Sequence, residues 1–288
     1  MGREVRYVWP VLSSRDWGVV RIGGPGLANC MFVAARAYIE SRRRGCQMVA
    51  PTWRKLSVGP LLRHERDKRV YNRLFNDIGV RGLKKLLLSF GCTRWMLAGG
   101  GNLLKINGLG KYFTDLDESH EMVLDYFAQI TRPEAVAAVD PAELAGAVAV
   151  HVRLGDYVPR LRVDIGWYRG VMAGIIARHP GQRFAIFSDG TDAELQPLLS
   201  LPGAERRFYG NAYADMYAIA HCRMLLASDS TFSAWGAFLG RVPVVFCKRH
   251  FPPVFSCGGV PEAVIGASTQ LPPAFDSILD QKRTEYDR

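Results

Sequence analysis

Apolar residues recur along the chain in two rhythms. In the second half they form short continuous runs: Gly146–Val152 (GAVAVHV), Arg183–Phe187 (RFAIF), Met224–Ala227 and Val242–Phe246 (VPVVF). Runs of this length bounded by turn residues mark strands buried on both faces, as in a parallel sheet. Between them lie segments with helical spacing: Trp167–Arg178, Ala193–Ser200, Ala214–His221 and a helix beginning over Ser233–Leu239. This alternation predicts a doubly wound α/β sheet. The first half opens the same way. Trp17–Ile22 (WGVVRI) predicts a short strand, Gly23-Gly24-Pro25-Gly26 a turn, and Asn29–Arg44 a helix that places Met31, Phe32, Ala35, Tyr38 and Ile39 at helical spacing. Gln47–Ala50 predicts a weak second strand.

Residues 53–98 are basic and helical in character. Within them, Val80–Phe90 groups Leu83, Leu86, Leu87 and Phe90 on one face and Arg81, Lys84 and Lys85 on another. Such a helix packs its leucines on a core with the cations in water, or lays them on an anionic membrane. A further amphipathic helix covers Glu118–Ile130, after which Thr131-Arg132-Pro133 and Asp140-Pro141 interrupt the pattern. The expected division is therefore an N-terminal α/β domain over 1–145 and a C-terminal one over 146–288.

Composition narrows the function class. With 48% hydrophobic and 22% charged residues, the 288-residue chain has the balance of a globular protein. A net charge of +10 favours anionic partners. The basic excess lies in the first half and carries no zinc-finger spacing, RNP signature or basic-zipper heptad, so no nucleic-acid partner is expected. The six cysteines (30, 46, 92, 222, 247, 257) form no CxxC pair and no His/Cys cluster with metal spacing, so no metal centre is expected. Without an apolar leader or a run of about 18 apolar residues, the expected location is cytoplasmic, with peripheral contact on the inner membrane surface.

Three polar clusters fall where predicted strands end, the place where such sheets bind ligands. The first is His151-Val152-Arg153-Leu154-Gly155-Asp156-Tyr157. An Arg at a strand end presents a permanently charged fork suited to phosphate, and Gly155 lets the backbone turn closely. Asp156 is placed to orient Arg153 or to accept a proton; a simple Arg–Asp pair is the plainer role. The second is Ser188-Asp189, suited to ribose or base contacts, or to capping the next helix. The third, Ser228-Asp229-Ser230-Thr231-Phe232-Ser233, puts hydroxyls before a helix, where unpaired N–H groups favour a diphosphate. The N-terminal glycine turn departs from a dinucleotide fingerprint, since Asn29 stands where Gly or Ala is required, which excludes a dinucleotide oxidoreductase.

Taken together, the motifs resemble the alpha-1,2-fucosyltransferase family, glycosyltransferase family 11, as a divergent bacterial-type member. HVRLGDYV is similar to that family's HVRRGDYV, SDSTFSAWGAFLG to SNSTFSWWGAWL, FSDG to FSDD, and PGLANCMF to GGLGNQMF. LGKYF and Asp215-Met216-Tyr217 also resemble family segments, in the same order. The resemblance implies a GT-B-type architecture, two Rossmann-like domains facing a cleft. It implies inverting, metal-independent transfer of fucose from GDP-fucose to a glycan hydroxyl, usually galactose O2, on an oligosaccharide or glycolipid acceptor. No cofactor is implied beyond the donor itself. On this resemblance Arg153 grips the pyrophosphate, with His151 and Asp156 supporting it and Asp156 offered as base. Gly155, Ser188, Asp189, Ser230, Thr231 and Phe232 line the donor pocket, and Gly26 and Asn29 close the cleft from the N-terminal domain. The departures are Leu154 for Arg, Gly190 for Asp, Asp229 for Asn, Ala234 for Trp, and Ala28 and Cys30 in the N-terminal motif. They leave two alternatives: another nucleotide-sugar donor, or a non-catalytic relative that binds GDP or glycan.

Overall fold

The computed structural model describes residues 5–56, 71–89, 102–155, 160 and 162–280. The chain divides into two compact units, Met1–Val136 and Ala137–Arg288.

The first unit is built on a three-stranded parallel sheet of β1 (Val5–Pro10), β3 (Gln47–Met48) and β5 (Asn102–Ile106), in the order β3-β1-β5. Neither β1 nor β5 is predicted by the apolar rhythm. Their residues mix Tyr, Arg, Lys and Asn with apolar ones, so they carry no continuous run. Of the strand expected over Trp17–Ile22 only β2 (Arg21–Ile22) forms, pairing with β4 (Lys55–Leu56); Trp17 to Val20 make a turn before it. Helix α1 (Leu27–Arg43) packs on β1 and on α3 (His120–Ile130). Its small residues Ala34, Ala35 and Ala37 allow close approach, and aromatic pairs such as Phe32–Phe113 and Tyr38–Tyr126, at 4.7 and 4.6 Å, fill the rest.

Helix α2 (Gly82–Ser89) corrects the expected packing. Leu88 and Lys85 are the buried residues, while Leu83 and Leu87 are 72% and 36% exposed. Leu88 enters a cluster with Trp9, Val49 and Val80 on the sheet. That contact rotates the leucine pair outward and carries Lys85 inward, where burial lowers its pKa against the pull of Asp16 and Asp77. Phe90, the last member of the expected face, lies outside the described residues.

The second unit is a six-stranded, all-parallel sheet. Its strands are β6 (Val148–Val152), β7 (Phe184–Ser188), β8 (Ala204–Arg206), β9 (Met224–Ala227), β10 (Val244–Phe246) and β11 (Glu262–Val264), in the order β11-β10-β9-β6-β7-β8. Helices α4 (Ile165–Arg178), α5 (Asp192–Leu199), α6 (Ala212–Ile219), α7 (Thr231–Gly240) and α8 (Pro273–Asp280) connect or follow them. All five residues of β6 are buried, as its continuous apolar run predicts. Val150, Ile186 and Leu226 from neighbouring strands share a core with Tyr168, Met172 and Ile175 of α4. The order reverses between β6 and β9: the chain adds β7 and β8 to one side, then returns to add β9, β10 and β11 to the other. Such a reversal, here at the carboxyl ends of β6 and β9, is the position at which open α/β sheets take ligands.

Candidate functional site

Arg153 stands just beyond β6, at one side of the reversal. Its Nη1 lies 2.8 Å from Asp189 Oδ2, with the two side chains 27% and 30% exposed. Asp189 Oδ1 accepts a hydrogen bond from the Leu154 amide at 2.8 Å. One carboxylate at the end of β7 thus holds both the guanidinium and the backbone of the loop after β6. Gly155 is required by this arrangement: a Cβ there would come within 2.5 Å of Asp189 Oδ2. Asp189 therefore helps to position Arg153. Asp156, to which the sequence offers the same role, lies outside the described residues. Ser188 accepts from the Gly190 amide through Oγ at 3.0 Å and from Arg206 through its carbonyl at 3.2 Å. Helix α5 is capped instead by Thr191 and Glu194 in a reciprocal capping box.

The other side of the reversal is the segment from β9 into α7. Ser230 is the N-cap, accepting from the Ser233 amide. Thr231 and Phe232 open the helix and are partly exposed. Ser228, His151 and Ser233 form a buried triangle. Ser228 Oγ and Ser233 Oγ lie 2.9 and 2.6 Å from His151 Nδ1 and 2.8 Å from each other. Phe232 stacks over the His151 ring at 4.7 Å. Burial, and secondarily Arg153, pushes the His151 pKa down to about 3, so the ring is neutral at physiological pH. His151 therefore fastens β6 to the start of α7 and sets the spacing between Arg153 and the helix N-terminus. Its geometry is that of a positioning residue rather than a proton carrier.

Asp229 meets a different histidine. Its Oδ1 accepts from the His250 amide at 2.9 Å and lies 2.6 Å from His250 Nδ1. His250 follows β10 in the basic run Lys248-Arg249-His250. Arg249 pairs with Glu262 of β11, and Lys248 Nζ donates to the Arg160 carbonyl at 3.3 Å. On the β6 side, Arg162 donates to the Gly155 carbonyl at 3.2 Å. These basic residues around the strand ends are additions to the expected set. The signal for the run after β10 was its place directly behind the apolar VPVVF strand.

In the first unit, Gly26 is the N-cap of α1 and Asn29 lies in its first turn. The preceding turn is held from below by two buried cations. Arg21 Nη1 donates to the Gly23 carbonyl at 3.0 Å, and Lys55 Nζ to the Gly24 carbonyl at 3.0 Å. Gly24 has a φ of 85°, and a Cβ on it would lie 2.6 Å from Ser13 Cβ. The structure thus gathers His151, Arg153, Gly155, Ser188, Asp189, Ser230, Thr231 and Phe232 around one sheet reversal in the second unit. Gly26 and Asn29 belong to the first unit. Among the described residues no group of three or more His, Cys, Asp or Glu side chains is arranged to hold a metal ion.

Residues 118–246 match the family described as Glycosyl transferase family 11, a stretch that contains both sides of the reversal. Among curated proteins none matches the sequence. The fucosyltransferase NodZ from Bradyrhizobium has a similar fold, with a TM-score of 0.52 at 15% identity, over 83% of this chain and 95% of that one. NodZ alpha-1,6-fucosyltransferase soaked with GDP-fucose gives 0.50 at 15% identity, over 83% and 94%. The chain therefore has a GT-B-type fold, with the matched family segment carrying its strand-end clusters.

Proposed function

We propose that the protein is a glycosyltransferase that moves fucose from GDP-fucose to a glycan hydroxyl. The observation that carries this reading is the pairing of Arg153 with the N-terminus of α7 across the β6/β9 reversal. A guanidinium and the first N–H groups of a helix both favour a diphosphate. GDP gains negative charge as the bond to the sugar breaks. Fixed donors that meet this charge without reorganising lower the barrier most. Asp189, bonded to both Arg153 and the Leu154 amide, keeps the guanidinium fixed for that purpose. Phe232, partly exposed at the start of α7, stacks on His151 and stands at the same helix end. In this reading the reaction inverts the sugar carbon and needs no metal, because Arg153 and the helix N-terminus carry the charge a divalent ion would. Galactose O2 is the acceptor position we favour, on the motif resemblance. NodZ is named as an alpha-1,6 enzyme, so product linkage is the finer question.

The test is a calorimetric titration with GDP-fucose, GDP-mannose and UDP-galactose without added metal, on the wild type and Arg153→Ala. The expected result is selective binding of GDP-fucose, weakened at least about tenfold in the variant, as for a lost charge-assisted contact. Preference for another donor would move the assignment to that sugar, and absence of GDP binding would end it.

We also propose peripheral contact with an anionic membrane through α2. Its outward Leu83 and Leu87 adjoin Arg81 and Lys84, which line a cavity of about 570 Å³ with Arg42 and no acidic side chain.

A further inference from the structure

We propose that His250 and Asp229 form a general-base dyad that takes the proton from the acceptor hydroxyl; this rests on the transfer reading above. Asp229 is nearly buried, 8% exposed, and His250 is 50% exposed. The carboxylate oxygen lies 2.6 Å from His250 Nδ1 and also accepts the His250 amide at 2.9 Å. These two contacts fix the ring's position and its tautomer together. An ionised carboxylate only accepts, so Nδ1 carries a proton, and in the neutral imidazole the lone pair is then on Nε2. A buried acid behind an exposed imidazole is the arrangement that holds a histidine ready to accept a proton and stabilises the cation that results.

The dyad is also in the right place. Asp229 follows β9 and His250 follows β10, the next strand outward from the reversal. Neighbouring strands lie about 4.8 Å apart, so the dyad stands roughly one to two strand spacings from Arg153, beside the expected diphosphate rather than on it. This accounts for an acid in the serine-rich segment. Asp229 points to His250 while its neighbours Ser228 and Ser230 serve His151 and the helix cap. Arg249, paired with Glu262, and Lys248, bonded to the Arg160 carbonyl, precede His250 in the chain.

In the step proposed, the acceptor oxygen forms its bond to the sugar carbon as the bond from that carbon to the GDP oxygen breaks. GDP leaves with the bonding electron pair, and the hydroxyl proton passes to His250 Nε2 and then to solvent. No redox partner is involved.

The test measures GDP release from GDP-fucose with lactose as galactose-bearing acceptor. His250→Ala is expected to lower kcat about 100-fold, the scale of a lost general base, with GDP affinity unchanged. Free imidazole should restore part of that kcat. Asp229→Asn should lose about tenfold and should not respond to imidazole. A His250→Ala variant within about twofold of wild type overturns the dyad, as does one that loses GDP binding along with kcat and is not rescued. A wild type that releases no GDP from GDP-fucose removes the transfer reading first, and the dyad with it.

Discussion

At the residue scale, the strand-end cluster depends on side chains that hold one another in place. His151 is the clearest. Its pKa is lowered from 6.5 to about 3 by burial, so between those values the unfolded chain binds a proton that the folded chain refuses. Stability must then rise with pH through that window and fall as acid is added. The slope from one such proton is ~1.4 kcal/mol per pH unit. Urea denaturation at several pH values should show His151→Gln losing less stability than wild type between neutral pH and pH 4.5. Equal slopes would mean that the ring takes up its proton in the folded state. The same residue shows what the sequence conceals. Strand alternation placed His151 and Arg153 together, and they do flank one strand end. It could not reveal that His151 would be spent on Ser228 and Ser233, because those contacts span 77 and 82 positions. Nor could it place Asp189 beside Arg153, since that pair joins the ends of two different strands. Two departures from the resembled motifs prove to be neighbours. A Cβ on Gly190 would lie 2.6 Å from Leu154 Cδ1, so Leu154 occupies the space that a side chain at position 190 would need.

At the element scale, legibility followed burial. Strands buried on both faces, such as β6, announce themselves as apolar runs. Strands of mixed residues, such as β5, β8 and β11, do not. Helix α2 was legible as a helix but not in its orientation. Its period allows either face to pack, and the contact of Leu88 with Trp9 and Val49 decided it. The consequence is an exposed apolar strip, Leu83 and Leu87, beside Arg81 and Lys84 on a helix about 12 Å long. The turn at Trp17 lies against the far end of this helix through Ser89 Oγ, and Trp17 is itself 52% exposed. Leucines, flanking cations and an exposed Trp suit the plane of an anionic bilayer. Sedimentation with phosphatidylglycerol vesicles should therefore pull down the wild type in a salt-sensitive way. Leu83→Ser with Leu87→Ser should weaken binding about tenfold, and Arg81→Glu with Lys84→Glu should abolish it. Equal recovery of all three proteins would remove this face from consideration.

At the scale of the whole molecule, each unit has its own parallel sheet and core, and the chemistry is divided unevenly between them. The strand-end clusters assigned to the diphosphate are all in the second unit, on loops that the β6/β9 reversal brings together. Those loops are tied to one another by contacts that do not pass through the first unit: Arg153 to Asp189, His151 to Ser228 and Ser233, and Asp229 to His250. A ligand bound there should reduce opening of these loops as a group, because each is fastened to the next. Hydrogen exchange with saturating GDP should accordingly protect residues 151–155, 188–190 and 228–233 together. The turn at Gly23–Gly26 offers an internal comparison. The Gly23 amide already donates to the Leu56 carbonyl, so its own protection without GDP should be high. If GDP further protects that turn as well as the loops of the second unit, Gly26 and Asn29 take part in donor binding. If protection stops at the second unit, the donor is held by one domain and the first is left for the acceptor. Protection confined to the first unit would show that the strand-end clusters are not the donor site.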